Sequence, residues 1–225
     1  MALHSISDGI TRRTLDGKNQ DGSHCGDHII ISGTGRAGTT FLVQYLTAIG
    51  FDTGYSIEEA LTAVDEISFA GLEQNYYARK IPYVVKSPYL TDHLGTLLAQ
   101  RRMRVAYAII PMRDLFGAAQ SRRRVYWELA ARGLNPLGHF GTIWKTKNPN
   151  NQESALAIQL YKIIVTLAQY DVPTQFLIYP DFVKAHDTLY ACLGHILSLH
   201  GVSQEESLQA YQRVVQLHLI HDFSE

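Results

Sequence analysis

Cysteine is nearly missing from this chain: Cys25 and Cys192 are the only two among 225 residues. Two thiols cannot build a disulfide framework, and their spacing matches no metal-binding pair. Long apolar runs are also missing. No stretch approaches the ~18 residues that a membrane span needs, and no charged-then-apolar leader opens the sequence. Nor is there a surplus of either charge: 20 Lys and Arg against 21 Asp and Glu leave a formal net charge of −1. Nothing therefore draws the whole molecule to nucleic acid, and any anion binding must be local. These absences lead us to expect a cytoplasmic protein with no transmembrane segment, no nucleic-acid partner and no bound metal. They leave its oligomeric state open.

What is present is an ordinary globular balance, 46% hydrophobic and 18% charged residues, which argues against a mostly disordered chain. The length suits one well-buried domain. Residues 1–27 are polar, rich in Gly, Asp and Ser, and lack a hydrophobic period, so we expect an N-terminal arm, mobile or laid along the surface. Residues 28–225 are expected to form a single α/β domain.

Within it, short apolar runs alternate with helical patterns. The β-branched run at residues 28–32 predicts a strand buried on both faces. Phe41, Leu42, Tyr45, Leu46 and Ile49 recur at helical spacing up to Gly50. A helix is expected from Ser56, where Ser56-Ile57-Glu58-Glu59 fits a capping box. A strand over 83–86 and a helix over 90–102, capped by Thr91 or Asp92, follow. Then come a strand over 105–111, a helix from the Asp114 cap to about Arg132, and a long Gly/Pro/Asn-rich loop over 133–150. The pattern closes with a helix over 151–170, a strand over 174–179, a helix over 182–199, and a last helix from the Ser203–Glu206 capping box to about Leu219. Such alternation predicts a three-layer α/β/α fold with a mostly parallel central sheet.

The loop Gly33-Thr34-Gly35-Arg36-Ala37-Gly38-Thr39-Thr40 joins the first strand to the first helix. Its spacing is that of a P-loop, with Thr39 where the lysine should stand. Glycines let successive N–H groups point inward and the helix N-terminus adds positive potential, so a phosphate can be cradled. Thr39 and Thr40 can donate hydroxyl hydrogen bonds to it. The lysine that reaches the β- and γ-phosphates in phosphoryl transfer is gone, and Arg36 is the nearby replacement cation.

Arg36-Ala37-Gly38-Thr39-Thr40 resembles the 5′-phosphosulfate loop of the sulfotransferase superfamily, in which a basic residue precedes x-Gly-Thr-Thr. The family uses 3′-phosphoadenosine 5′-phosphosulfate (PAPS) as sulfonate donor and leaves the 3′,5′-bisphosphate PAP. The resemblance implies a P-loop nucleoside triphosphate hydrolase-like fold, with Gly35, Arg36, Ala37, Gly38, Thr39 and Thr40 around the 5′-phosphate and sulfonate. A second family element is an arginine ending a strand and a serine eight positions later on the next helix. Arg113 and Ser121 match it, which implies that they grip the donor's 3′-phosphate. Of the arginines that follow, Arg122 and Arg123 are the first candidates for a further nucleotide contact.

Lys86 ends the second strand, and open α/β sheets place ligands beyond the carboxyl ends of their strands. Val85-Lys86-Ser87-Pro88 is similar to segments of carbohydrate-type sulfotransferases. Small-molecule members have Lys-Thr-His with a histidine base, whose position Pro88 takes here. Arg36 and Lys86 are the candidate catalytic cations, neutralising the sulfonate and the leaving phosphate. The base is left open among Glu58, Glu59, Asp65, Glu66, His93 and His139, with Glu59 already accounted for as a cap. Tyr126, Trp127 and Trp144 can stack on adenine or shape the acceptor pocket.

The implied reaction is sulfonate transfer to a hydroxyl or amine of a sugar, lipid or small-metabolite acceptor, with no metal in the transfer step. A P-loop nucleotide or small-molecule kinase is the alternative. It would want the missing lysine and an acidic Mg²⁺ ligand ending a strand, which neither Lys86 nor Pro111 supplies. A non-catalytic nucleotide-binding protein of the same fold is the third reading.

Overall fold

The structure is a computed structural model that describes residues 27–221 and 223. The expected arm falls almost wholly outside these residues. Its last member, Asp27, belongs to the domain: β1 runs Asp27–Ile31, and the Asp27 carboxylate pairs with Arg104 Nε at 3.0 Å.

Four strands form one all-parallel sheet in the order β2-β1-β3-β4, with β2 at Val84–Lys86, β3 at Arg104–Met112 and β4 at Thr174–Ile178. Alternate side chains on a strand face opposite sides, and the apolar runs here are buried on both. Ile29, Ile31, Val84 and Ile109 enter one core, and Ile30, Val85, Ala108 and Ile110 the other. The first core is closed by α1 (Thr39–Ile49), α7 (His186–Leu199) and α8 (Gln204–Val214). The second is closed by α3 (Leu90–Ala99) and α5 (Gln152–Gln169). Beside α5 lies α4 (Leu115–Ala131), through Ala118, Ala119 and Leu156. Helices thus cover both faces of the sheet, as the alternation predicted. No helix among the described residues is long and apolar enough to cross a membrane.

Pro111 sits inside β3 without breaking it. Ala108 N–H donates to Pro173 O on the β4 side, so by alternation the position of the missing Pro111 amide faces the β1 side. There β1 has already ended, since its last pair is Ile31 with Ile109. The chain leaving β1 passes into the Gly33–Thr40 loop at that point.

The expected caps are present. Ser56 and Glu59 form a capping box on α2 (Ile57–Thr62), Ser203 and Glu206 another on α8, and Asp114 Oδ1 accepts from Gly117 N–H at 2.5 Å. Some boundaries differ. α3 stops at Ala99, and its N-cap is Tyr89. The Thr91 hydroxyl is held instead by Pro88 O and Gln159 Oε1, at 2.9 and 2.7 Å. The expected helix over 182–199 is two, α6 (Asp181–Lys184) and α7, divided at Ala185, which is extended at φ −138°. No glycine or proline marks that break. The last helix ends at Val214 rather than near Leu219; Val215 is extended, and a separate 3-10 turn covers Leu217–Leu219.

Candidate functional site

The chain runs outward from β1 to β2 on one side and then crosses to β3 on the other. Crevices at such a reversal, beyond the carboxyl ends of the strands, are where open α/β sheets bind ligands. A cavity of about 1000 Å³ lies there, lined by the loop after β1, by Lys86 at the end of β2, and by Arg113 after β3.

The loop is shaped by left-handed backbone. Gly35 and Gly38 have φ of 67° and 78°, and Arg36 between them has φ 59°. Side chains at both glycines would also collide. A Cβ at Gly35 would lie 2.8 Å from Arg122 Nη2, and one at Gly38 2.9 Å from Phe182 Cζ. Gly38 is the N-cap of α1, with no side-chain capping bond and no acidic residue in the first turn. The first-turn N–H groups of Thr39 and Thr40, which line the cavity, therefore meet no carboxylate of their own helix. Such an N-terminus attracts an anion.

Arginines converge on this loop. Arg36 Nε donates to Ser121 Oγ at 3.0 Å, and its Nη1 donates to Ser68 O. Burial, then the nearby charges of Arg124 and Arg113, lowers its pKa to about 10. Arg122 is only 5% exposed. Its Nη1 donates to Thr142 O at 2.6 Å and its Nη2 to Thr34 O at 2.5 Å, while its Nε has no partner. Burial, followed by Arg36, brings its pKa down to about 9. Among the described residues no carboxylate pairs with Arg36 or Arg122; both hold only carbonyl and hydroxyl oxygens. Isolated charges are costly to bury, so an anion in the cavity would supply what these two guanidiniums lack.

Arg113 joins the same group. Its Nη1 donates to Arg36 O at 3.2 Å and its Nη2 to His221 O at 2.7 Å. Its guanidinium lies 4.9 Å from the Tyr179 ring centre and 5.3 Å from that of Phe223. Arg113 and Ser121 are thus brought together through Arg36, which touches one with its carbonyl and the other with its side chain. Arg123 turns away: it pairs with Glu153 on α5, with Nη1 at 2.6 Å from Oε1, and donates to Pro149 O at 2.9 Å. The helical phase of ~100° per residue separates it from Arg122.

Lys86 is 3% exposed. Its Nζ lies 2.5 Å from Glu73 Oε1 and also donates to Gly71 O. Burial lowers its pKa, and Glu73 opposes that shift. Glu73 lines the cavity and was not among the sequence candidates for a base. The segment around it has no hydrophobic period. It is closed by a single antiparallel bridge, Val64 to Gly71, with Asp65 Oδ1 accepting from Ile67 and Ser68 N–H. Its carbonyls serve the cations: Ser68 O takes Arg36, Ile67 O takes Arg124, and Gly71 O takes Lys86.

The other base candidates are dispersed. Glu59 is spent in its capping box, and Glu58 faces Arg213 at 3.9 Å. Asp65 Oδ2 lies 3.4 Å from His139 Nε2. Burial would raise its carboxyl, but hydrogen bonds from Ser68 and the His139 ring bring it below its usual range. Glu66 and His139 line the cavity; His93 packs against Tyr76 and Tyr77. Of the aromatics, Trp144 forms part of the wall, 5.4 Å from Arg122 and edge-on to Tyr89 at 5.8 Å. Tyr126 and Trp127 pack on each other, and Trp127 is largely exposed.

No family model, no curated protein and no solved structure matches this chain.

Proposed function

We propose that the chain is a PAPS-dependent sulfotransferase with a P-loop-like fold. The observation that carries this reading is the pair of guanidiniums, Arg36 and Arg122, set against the Gly33–Thr40 loop with only carbonyl and hydroxyl partners. A polyanion answers that arrangement. Arg113 and Ser121, connected through Arg36, offer a second place for phosphate. The loop's missing lysine favours sulfonate over phosphoryl transfer, as do Lys86 and Met112 as the last residues of β2 and β3, with Asp114 beyond them engaged as the α4 cap.

In this reading the acceptor oxygen or nitrogen attacks sulfur in line, and the bond from sulfur to the donor's 5′-phosphate oxygen breaks. Arg36 and Lys86 neutralise the sulfonate and the departing phosphate, which carries away the bonding electron pair. Glu73, 2.5 Å from Lys86, is the base that takes the acceptor's proton. Lys86 holds that carboxylate at the cavity wall. The acceptor is a hydroxyl or amine of a sugar, lipid or small metabolite.

The test is binding of adenosine 3′,5′-bisphosphate against ATP, each with and without Mg²⁺. Metal-independent preference for the bisphosphate is expected. Preference for ATP with Mg²⁺ dependence would overturn the reading in favour of a kinase.

A further inference from the structure

After α8 the chain turns back over the cavity, and its described tail brings His221 to the arginine cluster. Arg113 Nη2 anchors the His221 carbonyl at 2.7 Å. The ring is flanked by Phe69 and Phe223, with centres 6.4 and 6.1 Å away. His221 lines the cavity, yet its Nε2 is shut off from solvent and has no hydrogen-bond partner. A buried polar atom without a partner is costly and calls for an explanation.

We propose that His221 is a further ligand of the anion, donating from Nε2 as an imidazolium, so that binding of the nucleotide polyanion takes up a proton. This rests on the reading of the cavity as a site for a doubly phosphorylated nucleotide.

The charges around the ring supply the coupling. Arg36 reaches it from the phosphate loop, Arg113 from the end of β3, and Arg124 from α4. On the loop before β2, Asp65 is turned to Ser68 and His139, and Phe69 offers only its ring. Without an anion, burial and then Arg124, Arg36 and Arg113 hold the imidazole below its ordinary range and hence neutral. A bound polyanion cancels that cationic field and gives a protonated Nε2 an acceptor, so the imidazolium becomes the favoured form.

The experiment is calorimetric titration of adenosine 3′,5′-bisphosphate in two buffers of different ionisation enthalpy, for the wild type and His221→Gln. Proton changes on the ligand's own phosphates are common to both proteins and cancel in the comparison. We expect the wild type to take up more protons, the difference approaching one. Its affinity should fall more steeply with rising pH, by up to about tenfold per pH unit for a one-proton linkage. Equal proton uptake in two proteins that both bind would overturn the role of His221 while leaving the polyanion site standing. No binding by the wild type would overturn the site and the inference together. Side-chain nitrogen NMR of the wild type gives a readout independent of the variant: added bisphosphate should convert the His221 ring to the imidazolium, and a ring that stays neutral through saturation would sink the proposal.

Discussion

Arg36 Nε donates to Ser121 Oγ at 3.0 Å, joining the loop after β1 to the second turn of α4 across 85 residues of chain. The same arginine's carbonyl accepts from Arg113. One residue therefore ties both proposed phosphate seats together. Ser121→Ala is expected to weaken adenosine 3′,5′-bisphosphate binding about tenfold, the worth of one hydrogen bond to a charged group. Arg36→Ala should cost more, because it removes the charge as well. Calorimetry decides this, and wild-type affinity in Ser121→Ala would show that the serine does no more than seat the arginine.

Glu73 and Lys86 differ in the losses they should cause. Glu73→Gln is expected to lower the sulfonate-transfer rate by roughly 10²–10⁴, the usual reach of general-base catalysis, with little change in bisphosphate affinity. Lys86→Met should lower both. Steady-state rates read beside equilibrium binding separate the two. If Glu73→Gln loses affinity and rate in equal measure, the carboxylate acts by holding Lys86 and not by taking a proton.

The two left-handed glycines should fail in different ways. Alanine at either pays about 1–2 kcal/mol for the backbone alone. At Gly38 the new methyl would also meet Phe182, Tyr179 and Val183, so the main loss should be stability, read from urea melts. At Gly35 it would meet only the end of Arg122. There the arginine must shift, and bisphosphate affinity should suffer more than stability. The reverse pattern would contradict the placement of Arg122 against the loop.

His28 gives the native state a pH dependence without any ligand. The residue is 5% exposed, and its Nδ1 lies 2.8 Å from Pro82 O. Burial lowers its pKa from 6.5, outweighing the opposing effect of the Pro82 and Tyr83 backbone. A lowered value means that the unfolded chain takes the proton first as pH falls. The stabilisation is therefore complete above pH 6.5 and is lost as pH drops through the lower folded value. Urea unfolding across this window should show a shallower pH slope in His28→Leu. His221, shifted the same way, keeps that slope from vanishing. An unchanged slope in the variant would refute the assignment.

How much of this was legible in the sequence depended on whether backbone pattern or tertiary partnership set the feature. Gly35 and Gly38 could be found because a spacing of glycines before a helix is a local matter, and Lys86 because an apolar run ended on it. Glu73 could not. Its segment has no period, and it meets Lys86 only because a strand ends 13 residues on. The choice between Arg122 and Arg123 depended on Glu153, 30 residues away. Nothing in residues 215–221 announces that the chain leaves α8 in extended form and returns His221 to Arg113. The break at Ala185 was equally silent, there being no glycine or proline to mark it.

Ile31 stands opposite Lys86 on one side and Ile109 on the other. That single rung is the common datum for the site: the loop departs just above it, Lys86 lies on it, and Arg113 follows four residues past Ile109. A slip of one residue would move a strand end by about 3.3 Å and turn its side chains to the opposite layer, sending Lys86 away from Glu73. The position of Lys86 is therefore a property of the sheet's core, whereas Arg36 is placed by the left-handed loop that carries it. Exchanging side chains on the tail or the long loop leaves that rung untouched, whereas Lys86 can be moved only by changing the pairing of the strands.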